Sequence, residues 1–440
     1  MKQSHYNFLV NDNDNIYCFN GLTRHFFSIK KKNKEILNTI LNSPDVAQTK
    51  LPVFYKLLID GGFIINNDTD ELNIIRSKNE KACNSKKYNL TILPTLDCNF
   101  RCWYCYENHT PYKMSNDTVE RIKKYIFNIV ELEEIEHLNI EWFGGEPFLH
   151  FEDIIKPISE YAKKTCQNKN IPFDTGATSN GYLVNKNISA ELAEINFSHI
   201  QVTLDGEKSM HDKTRVASND SSFETILSNM NSLCKINSQI KILIRINYDD
   251  KNFYPELIFS QIKELIDEAF HYRFTFLLRK VWQINDVANG NEKALKFIQL
   301  IRNSKFKYHR NADLILNFRP CYAAQKSMRM ITPYGSIGKC TTKDDFEMQA
   351  IGHLTDNGTI EWKNNIDFDE IYAVPLFENE QCLNCKQLPL CMGNCPKDID
   401  TDGHINFSKE CRGKVNDLKL VDTILNFCKT NGITQSSNQI

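Results

Sequence analysis

The stretch CNFRCWYC, residues 98–105, places three cysteines on one short segment directly after an apolar run, residues 90–96. The run predicts a buried β-strand, so Cys98, Cys102 and Cys105 are expected on the loop that leaves it. Three thiolates spaced C-x3-C-x2-C can bind three irons of a cubic iron–sulfur cluster and leave the fourth iron without a protein ligand. A structural zinc site would need a fourth Cys or His nearby. The next cysteine, Cys166, is 61 residues on, and His109 is a weak candidate for the fourth ligand.

Length, charge and cysteine content limit the class of protein. With 53 basic and 55 acidic side chains in 440 residues, the net charge is −2, and this balance favours neither a nucleic acid nor an anionic membrane as partner. No apolar run is long enough to span a bilayer and the first residues contain no apolar signal region, so we expect a cytoplasmic protein. Fifteen cysteines in a reducing compartment indicate metal ligation rather than disulfides.

Residues 89–305 alternate between strand and helix patterns. Strands are predicted at 90–96, 138–143, 173–179, 200–204, 240–247 and 272–278, and helices at 116–131, 152–166, 187–195, 223–236 and 254–270. Six strands linked by helices predict an α/β fold with a parallel sheet, here a partial (β/α)6 TIM-like barrel with right-handed crossovers. Active sites of parallel barrels lie at the carboxyl ends of the strands.

Unusual residues follow the first four predicted strands. The first strand ends in the cysteine loop, and the next three end in Gly144-Gly145-Glu146-Pro147, in Ser179-Asn180-Gly181 and in Asp205-Gly206, with Arg215 shortly after. Glycine lets the backbone approach a ligand closely, and a guanidinium suits a carboxylate. Glycines also end ordinary strands, but four such ends in register indicate one site at this edge of the sheet.

The cysteine loop and the Gly144-Gly145-Glu146-Pro147 turn resemble two signatures of the radical S-adenosylmethionine (radical SAM) superfamily. The resemblance implies that Cys98, Cys102 and Cys105 are catalytic and hold a [4Fe–4S] cluster. It further implies that the methionine of S-adenosyl-L-methionine chelates the free iron, and that one electron cleaves this cofactor to a 5′-deoxyadenosyl radical.

The same resemblance implies a set of cofactor contacts. The glycine turn would hold the methionyl amine, and Thr203 and Arg215 would contact the methionine carboxylate or the ribose. Tyr104 would meet the adenine, with Leu278 as an apolar contact. The full expected set is Tyr104, Gly144, Gly145, Glu146, Ser179, Asn180, Thr203, Arg215 and Leu278. The alternatives are structural: the paired glycines suit an ordinary βα turn, and Thr203 or Arg215 could serve packing alone.

Seven further cysteines lie within residues 306–440: Cys321, Cys340, Cys382, Cys385, Cys391, Cys395 and Cys411. Together with Gly335 they follow the spacing C-x13-G-x4-C, then C-x2-C-x5-C-x3-C and a final cysteine, which resembles the SPASM extension of radical SAM enzymes. The resemblance implies two auxiliary [4Fe–4S] clusters, one on Cys382, Cys385, Cys391 and Cys411 and the other on Cys321, Cys340 and Cys395. Zinc remains an alternative for the four cysteines of the middle motif taken alone.

The number of cysteine ligands is one short of the number that three clusters require. The clusters need three, four and four thiolates, whereas the motifs supply ten cysteines, so we expect an iron without a cysteine ligand in the cluster on Cys321, Cys340 and Cys395. The other cysteines are predicted to be buried apolar side chains: Cys18, Cys83, Cys166, Cys234 and Cys428.

Residues 1–88 predict a separate winged-helix-like module. The pattern contains a hairpin at 6–10 and 16–19, helices at 37–41, 52–59 and 71–81, and a short strand at 63–65. The module could be a cap on the next domain. Alternatively, it resembles the PqqD-like peptide-recognition domain of peptide maturases, which would add a leader peptide as a strand to its sheet edge.

These resemblances imply a cytoplasmic radical SAM/SPASM oxidoreductase that modifies a precursor peptide with a leader, with a flavodoxin or ferredoxin as electron donor. An open iron that binds a substrate thiolate favours a thioether cross-link from sulfur to carbon. Carbon–carbon cross-linking is one alternative. Anaerobic sulfatase maturation is another, although those enzymes carry Asp directly after the second SPASM cysteine, where this chain has Thr341. A non-catalytic iron–sulfur scaffold is a third alternative, against which the intact cofactor motifs weigh.

Overall fold

The computed structural model describes residues 1–216, 221–281, 283, 290–309, 320–342, 345–373, 377, 379–392, 399–405 and 420–430. Two predicted cluster ligands, Cys395 and Cys411, lie outside the described residues. Within them, no helix is both long enough and apolar enough to cross a membrane.

The amino-terminal module contains five strands and four helices. Its elements are β1 (Lys2–Gln3), β2 (Asn7–Asn11), β3 (Asn15–Asn20), β4 (Phe26–Lys30), α1 (Lys34–Asn42), α2 (Pro44–Lys50), α3 (Pro52–Asp60), β5 (Ile64–Ile65) and α4 (Glu71–Cys83). β2, β3 and β4 form an antiparallel sheet, and β1 pairs with β5. The predicted hairpin is therefore extended by a third strand, β4, that the sequence pattern did not predict.

The central unit alternates strands with helices. Its elements are β6 (Lys87–Ile92), α5 (Asn116–Leu132), β7 (His137–Trp142), α6 (Lys156–Asn168), β8 (Phe173–Ser179), α7 (Lys186–Glu194), β9 (Phe197–Asp205), α8 (Lys208–Thr214), α9 (Ser222–Ile236), β10 (Lys241–Tyr248), α10 (Pro255–Leu265), β11 (Phe274–Lys280), α11 (Gly290–Arg302) and β12 (Lys307–Tyr308). All six pairings from β6 to β12 are parallel, which confirms the predicted α/β fold.

Capping residues and apolar stripes explain how the barrel helices form. The side chain of Ser115 accepts a hydrogen bond from the backbone N–H of Thr118 and starts α5, and Ser221 starts α9 in the same way. Ile122 and Ile126 lie on one face of α5 and are buried in the main core. The side chains of these helices thereby cover the outer face of the parallel sheet.

The end of α10 differs from the sequence prediction of a helix over residues 254–270. The helix ends at Leu265, and a 3₁₀ turn over Glu268–Arg273 precedes β11. The reason is a tertiary contact, because the Asn231 side chain on α9 donates to the carbonyl of Leu265 and accepts from the backbone N–H of Asp267. That contact replaces the hydrogen bonds of a continued helix.

The carboxyl-terminal part of the chain joins the same sheet. Its elements are β13 (Met328–Ile331), β14 (Ser336–Gly338), β15 (Gly352–Leu354), β16 (Ile360–Trp362), α12 (Phe368–Ala373), α13 (Glu380–Leu383), α14 (Leu388–Cys391) and α15 (Leu420–Thr430). The strand order is β12-β11-β10-β9-β8-β7-β6-β13-β14-β15-β16. β13 runs parallel to β6, and the next three strands are antiparallel. One sheet therefore crosses the predicted boundary at residue 305.

The amino-terminal sheet lies between two helical layers. Phe27 and Ile29 pack with α1 and α3, whereas Tyr17 and Phe19 on the other face pack with Ile424 of α15. The two ends of the chain thereby share one apolar core.

Candidate functional site

The cysteine loop rests directly on the paired glycines after β7. The backbone N–H of Gly145 donates to the carbonyl of Thr95 at 3.3 Å, and that of Glu146 donates to the carbonyl of Asp97 at 2.8 Å. A Cβ on Gly144, whose φ is 113°, would lie 2.3 Å from the carbonyl oxygen of Thr95, and a Cβ on Gly145 would lie 2.0 Å from that of Asp97. The glycines are required because the cysteine loop itself approaches so closely.

A cavity of about 210 Å³ lies at the carboxyl ends of the barrel strands. It brings together most of the predicted site residues: Cys98, Cys102, Tyr104, Cys105, Gly144, Gly145, Ser179, Asn180, Thr203 and Arg215. Glu146 and Leu278 are not among its lining residues. Leu278 belongs to the main apolar core, on the face of β11 that also buries Phe274 and Phe276, and the structure does not bring it to the cavity.

The three thiols of the loop suit a group that carries positive charge. Burial raises the pKa of Cys98 to about 12, and it also raises the pKa of Cys102 and Cys105. Thiolates at these positions therefore need a bound cation. Among the described residues, no three His, Cys, Asp or Glu side chains converge on the position of a single metal ion. A cubic cluster does not need such convergence, because each thiolate binds a different iron.

Glu146 joins two strand ends rather than facing the cavity. It is fully buried, and its carboxylate accepts hydrogen bonds from the Ser179 hydroxyl at 2.9 Å and from the backbone N–H of Asn180 at 2.8 Å. Burial raises the pKa of Glu146 to about 7, against the opposing effect of these hydrogen bonds. Asn180 then donates to the side chain of Asn99 on the cysteine loop at 2.7 Å. Glu146 and Ser179 thus hold the cysteine loop in position through Asn180.

Tyr104 and Arg215 belong to one buried network. The Tyr104 hydroxyl donates to Asp205 Oδ1 at 2.6 Å and accepts from Arg215 Nη2 at 2.7 Å and from Asn247 Nδ2 at 3.1 Å. Arg215 Nε forms an ion pair with Asp205 Oδ2 at 2.8 Å. Although burial acts in the opposite direction, Asp205 holds the pKa of Arg215 well above its ordinary value. The guanidinium is therefore charged and fixed in orientation at the wall of the cavity.

A second cavity of about 820 Å³ continues from the first into the barrel. Five residues line both cavities: Tyr106, Phe143, Thr178, Gln201 and Arg245. The large cavity also reaches Tyr322, Thr341 and Thr342, which are the chain neighbours of Cys321 and Cys340. The Tyr106 hydroxyl donates to the carbonyl of Thr341 at 2.8 Å, so the cysteine loop and the segment of Cys340 are in direct contact.

The remaining carboxyl-terminal cysteines differ in exposure. Cys340 is buried, Cys382 and Cys385 are half-buried, and Cys321 and Cys391 are exposed. The five cysteines outside the motifs, Cys18, Cys83, Cys166, Cys234 and Cys428, are all buried, which confirms the prediction made for them.

Several site residues were missed by the sequence reasoning. Asn247 ends the predicted strand 240–247, so the strand-end rule would have found it. Arg245 and Gln201 are polar residues between apolar neighbours on β10 and β9, and this alternation is a signal for residues that face the barrel interior. Glu107 lines the small cavity, its Oε2 atom has no hydrogen-bond partner among the described residues, and no sequence pattern predicted it.

Comparison with known proteins finds a family match over the barrel and several similar proteins. Residues 92–251 match the Radical SAM superfamily. The chain is 24% identical over 345 residues to the cysteine-type anaerobic sulfatase-maturating enzyme of Clostridium novyi, covering 70% of this chain and 88% of that enzyme. It is 23% identical over 368 residues to the radical SAM cyclopropyl synthase TigE of Paramaledivibacter caminithermalis, covering 76% of this chain and 74% of that enzyme. Native anSMEcpe with bound AdoMet and Kp18Cys peptide has the same fold, with a TM-score of 0.54 at 18% identity over 78% of this chain and 98% of that one.

Proposed function

From the premise of a radical SAM barrel at residues 92–251, we propose that this chain uses S-adenosyl-L-methionine to modify a ribosomally made peptide by forming a thioether. The observation that carries the proposal is the common wall of the two cavities. A peptide side chain in the large cavity would lie between the cysteine loop and the segment of Cys340. Both ends of a sulfur-to-carbon cross-link then have a place in one connected space.

The small cavity suits the cofactor. Cys98, Cys102 and Cys105 would hold a [4Fe–4S] cluster, and Arg215 and Thr203 would face the methionine carboxylate. When bound, the cluster and S-adenosyl-L-methionine supply a 5′-deoxyadenosyl radical that takes a hydrogen atom from the peptide. Tyr104 and Asp205 hold Arg215 in place before the cofactor arrives, so little ordering is needed on binding.

The carboxyl-terminal cysteines would hold two auxiliary [4Fe–4S] clusters, one on Cys382, Cys385, Cys391 and Cys411 and the other on Cys321, Cys340 and Cys395. The second set lacks a fourth cysteine, and its iron without a cysteine ligand would take the thiolate of a substrate cysteine. Tyr322 and Thr341 flank Cys321 and Cys340 and line the large cavity, which supports access of a peptide to this side.

A peptide substrate is supported by relatives and by the amino-terminal module. The anSMEcpe structure contains AdoMet together with a peptide. The three-stranded sheet of residues 7–30 has two outer strands, β2 and β4, that pair only with β3 among the described strands. A leader peptide would add to one of these edges, as in a PqqD-like domain. A flavodoxin or ferredoxin would supply electrons, and the enzyme would work in the cytoplasm.

Sulfatase-type maturation is the second candidate, because the relative from Clostridium novyi covers most of the chain. The position after Cys340 carries Thr341, whose hydroxyl pairs with Tyr322 at 3.1 Å and offers no carboxylate base. Carbon–carbon cross-linking would need only the electron-accepting role of the auxiliary clusters. Both candidates leave the substrate cysteines in a different state from that expected for a thioether.

Mass spectrometry of the reaction product separates these chemistries. The reconstituted enzyme is incubated anaerobically with a reductant, S-adenosyl-L-methionine and cysteine-containing precursor peptides encoded near its gene, and the products are treated with iodoacetamide. A thioether product has lost two hydrogens and has one blocked cysteine. Products whose cysteines all remain alkylatable would contradict thioether formation.

A matched control tests the assignment of the catalytic cluster. Changing Cys98, Cys102 and Cys105 together to Ala should remove about four irons per chain and abolish 5′-deoxyadenosine formation. The triple change of Cys18, Cys166 and Cys234 to Ala should leave the iron content unchanged, because these cysteines are buried away from both cavities. Cofactor cleavage by the first variant would refute the assignment.

A binding experiment tests the amino-terminal module. Fluorescence anisotropy compares the affinity of the enzyme for full-length and leaderless peptides, and we expect removal of the leader to weaken binding.

A further inference from the structure

A chain of five hydrogen-bonded side chains crosses the barrel interior. Glu141 Oε1 lies 2.5 Å from His199 Nε2, and His199 Nδ1 lies 2.8 Å from the Ser198 hydroxyl. Ser198 donates to Asp174 Oδ2 at 2.9 Å, and Asp174 Oδ1 lies 2.6 Å from His137 Nε2. Every link is within hydrogen-bond distance, so the chain is continuous from Glu141 to His137.

The two ends of this chain lie at opposite ends of β7. Glu141 lines the large cavity, and its Oε1 atom takes the bonds from His199 and Asn139, whereas Oε2 takes no hydrogen bond from the described residues. His137 is the first residue of the strand, at the amino end of the barrel, and its side chain is 28% exposed. Four residues along a strand span about 13 Å, so the chain leads from the cavity to the amino end of the barrel, and its side chains are partly exposed along the way, from 28% for His137 to 38% for His199.

Two special features of the backbone make this chain possible. The pairing of β8 with β9 shifts between Thr175 and Gly176, and Ser198 is the extra residue of this bulge. The bulge lets Ser198 and His199, which are neighbours in sequence, both take part in the chain instead of pointing to opposite faces. A Cβ on Gly176 would lie 2.3 Å from His199 Nε2, so only glycine leaves room for the imidazole.

Resting on the proposed function, we propose that Glu141, His199, Ser198, Asp174 and His137 form a proton relay that carries the proton released by peptide oxidation from the large cavity to solvent. The residues expected to hold the catalytic cluster and the two auxiliary clusters are not part of it, and none of its five members lines the small cavity. A set of ion pairs that merely stabilises the barrel would need neither the bulge nor a carboxylate that lines the cavity.

The relay completes the balance of the proposed reaction. Formation of a thioether removes two hydrogens from the peptide: one leaves as a hydrogen atom to the 5′-deoxyadenosyl group, and the other leaves as a proton, with one electron passing to an auxiliary iron–sulfur cluster. Glu141 Oε2 takes up the proton. Rotation of the Glu141 carboxyl group brings this proton to His199 Nε2, and Nδ1 releases another to Ser198, whose own proton passes to Asp174 Oδ2. Rotation of the Asp174 carboxyl group then delivers a proton to His137 Nε2.

The charges around His199 suit a group that gains and loses a proton. Burial lowers the pKa of His199, but the hydrogen bond to Glu141 and the charges of Glu141 and Asp174 outweigh it and raise the pKa above the ordinary value. Lys241 at the start of β10 acts in the opposite direction. The facing groups are thus Glu141 and His137 on β7, Asp174 on β8 and Lys241 on β10, and the imidazole lies between two acids.

The test uses the reconstituted enzyme with the peptide that the alkylation experiment identifies, and measures cross-linked peptide formed per 5′-deoxyadenosine. Ser198→Ala and Glu141→Gln should each lower this ratio at least tenfold. Ser189→Ala is the matched control, because Ser189 on α7 is buried and its hydroxyl has no hydrogen bond among the described residues. An unchanged ratio in both relay variants would overturn the proposal.

Chemical rescue separates a relay from a structural role. His199→Ala vacates the space beside Gly176, so added imidazole should restore at least half of the ratio lost in this variant. A folded His199→Ala enzyme that cleaves the cofactor but is not rescued would also overturn the proposal.

If no peptide is modified, the proposed function itself fails. A measurement without peptide then tests the hydrogen-bonded chain separately. The ring nitrogens of His199 are titrated by ¹⁵N NMR in the full-length protein. Glu141→Gln and Ser198→Ala should each lower the pKa of His199, since one removes a negative charge and the other removes the acceptor of Nδ1–H. A His199 titration that neither variant alters would show that the chain is not connected.

Discussion

Tyr104 is the side chain on which three hydrogen bonds of the site converge. Its hydroxyl joins Asp205, Arg215 and Asn247, which come from the ends of β9 and β10 and from the segment after α8. The tyrosine therefore ties the cysteine loop to the opposite side of the barrel mouth. Arg215 is oriented by this hydroxyl as much as by its ion pair with Asp205.

Removing that hydroxyl tests the network. We expect Tyr104→Phe to lower the free energy of unfolding by about 1–3 kcal/mol, because buried polar groups lose a partner while the ring stays in place. Tyr182→Phe is the control, since the Tyr182 hydroxyl forms no hydrogen bond among the described residues. Urea unfolding under anaerobic conditions measures both, and equal stabilities of the two variants would contradict the role given to Tyr104.

Glu146 predicts a pH dependence of stability. Burial raises the pKa of Glu146 to about 7 in the folded chain, above its value in the unfolded chain. A group with a raised folded pKa contributes stability at low pH that is lost as the pH rises, here between about 4.5 and about 7. We expect the stability of the wild type to fall relative to Glu146→Gln by on the order of 3 kcal/mol over that range. Parallel urea unfolding curves at pH 5 and 7.5 provide the check, and a constant difference would be the contrary result.

At the scale of single elements, α15 covers one face of the amino-terminal sheet. The ring of Phe427 on this helix lies 4.8 Å from the ring of Phe26 on β4, and Ile424 is fully buried against the same sheet. The last described helix thus completes the core of the first module. The outer edges of the sheet, rather than its faces, are without a further strand partner among the described residues.

Truncation of Phe427 tests this contact. Phe427→Ala should lower the free energy of unfolding by about 2 kcal/mol, a value reduced from that of a fully buried ring because the side chain is half-buried. Val421→Ala on the same helix, where the side chain is 48% exposed, should change it by less than about 0.5 kcal/mol. Hydrogen exchange of β3 and β4 should accelerate in the first variant alone.

At the scale of the whole molecule, a buried charge cluster holds together elements of the carboxyl-terminal part, one of which, β13, pairs with β6 of the barrel. Asp369 on α12 binds Arg329 on β13 through two hydrogen bonds of 2.9 and 2.6 Å, and it binds Lys339 at 2.6 Å. The side chains of Arg329 and Lys339 are 8% and 0% exposed, so one carboxylate balances two buried cations. The barrel and the cysteine-rich part should therefore unfold together.

Asp369→Asn should destabilise the chain by about 3–5 kcal/mol, because it leaves two buried cations without a counter-charge. Glu370 lies on the same helix as Asp369 and forms an ion pair with Lys326 in which the side chains are 59% and 32% exposed. Glu370→Gln breaks this pair and should cost less than about 1 kcal/mol. Thermal unfolding of both variants gives the comparison. Two separate transitions in the wild type would contradict the single cooperative unit.

Local sequence determined the cysteine loop, the alternating strands and helices, and the glycine turn that follows β7. These features are predictable because each depends on spacing within a few residues: ligand spacing for the cysteines, periodicity for the strands, and conformational freedom for Gly144 and Gly145. Even there, the glycines proved to make room for the cysteine loop, a contact that is visible only when both segments are in place.

The tertiary structure decided what lies far apart in sequence. The partners of Tyr104 are 101, 111 and 143 residues away, and β13 joins β6 across the whole barrel. The relay from Glu141 to His137 depends on a one-residue bulge at Ser198, which reverses the face expected from strand periodicity. Leu278 lies in the apolar core and does not line the small cavity, because the face of a strand is set by its register in the sheet and not by its place in the sequence. Periodicity identifies the strands, but only the pairing of distant strands decides which side chains meet.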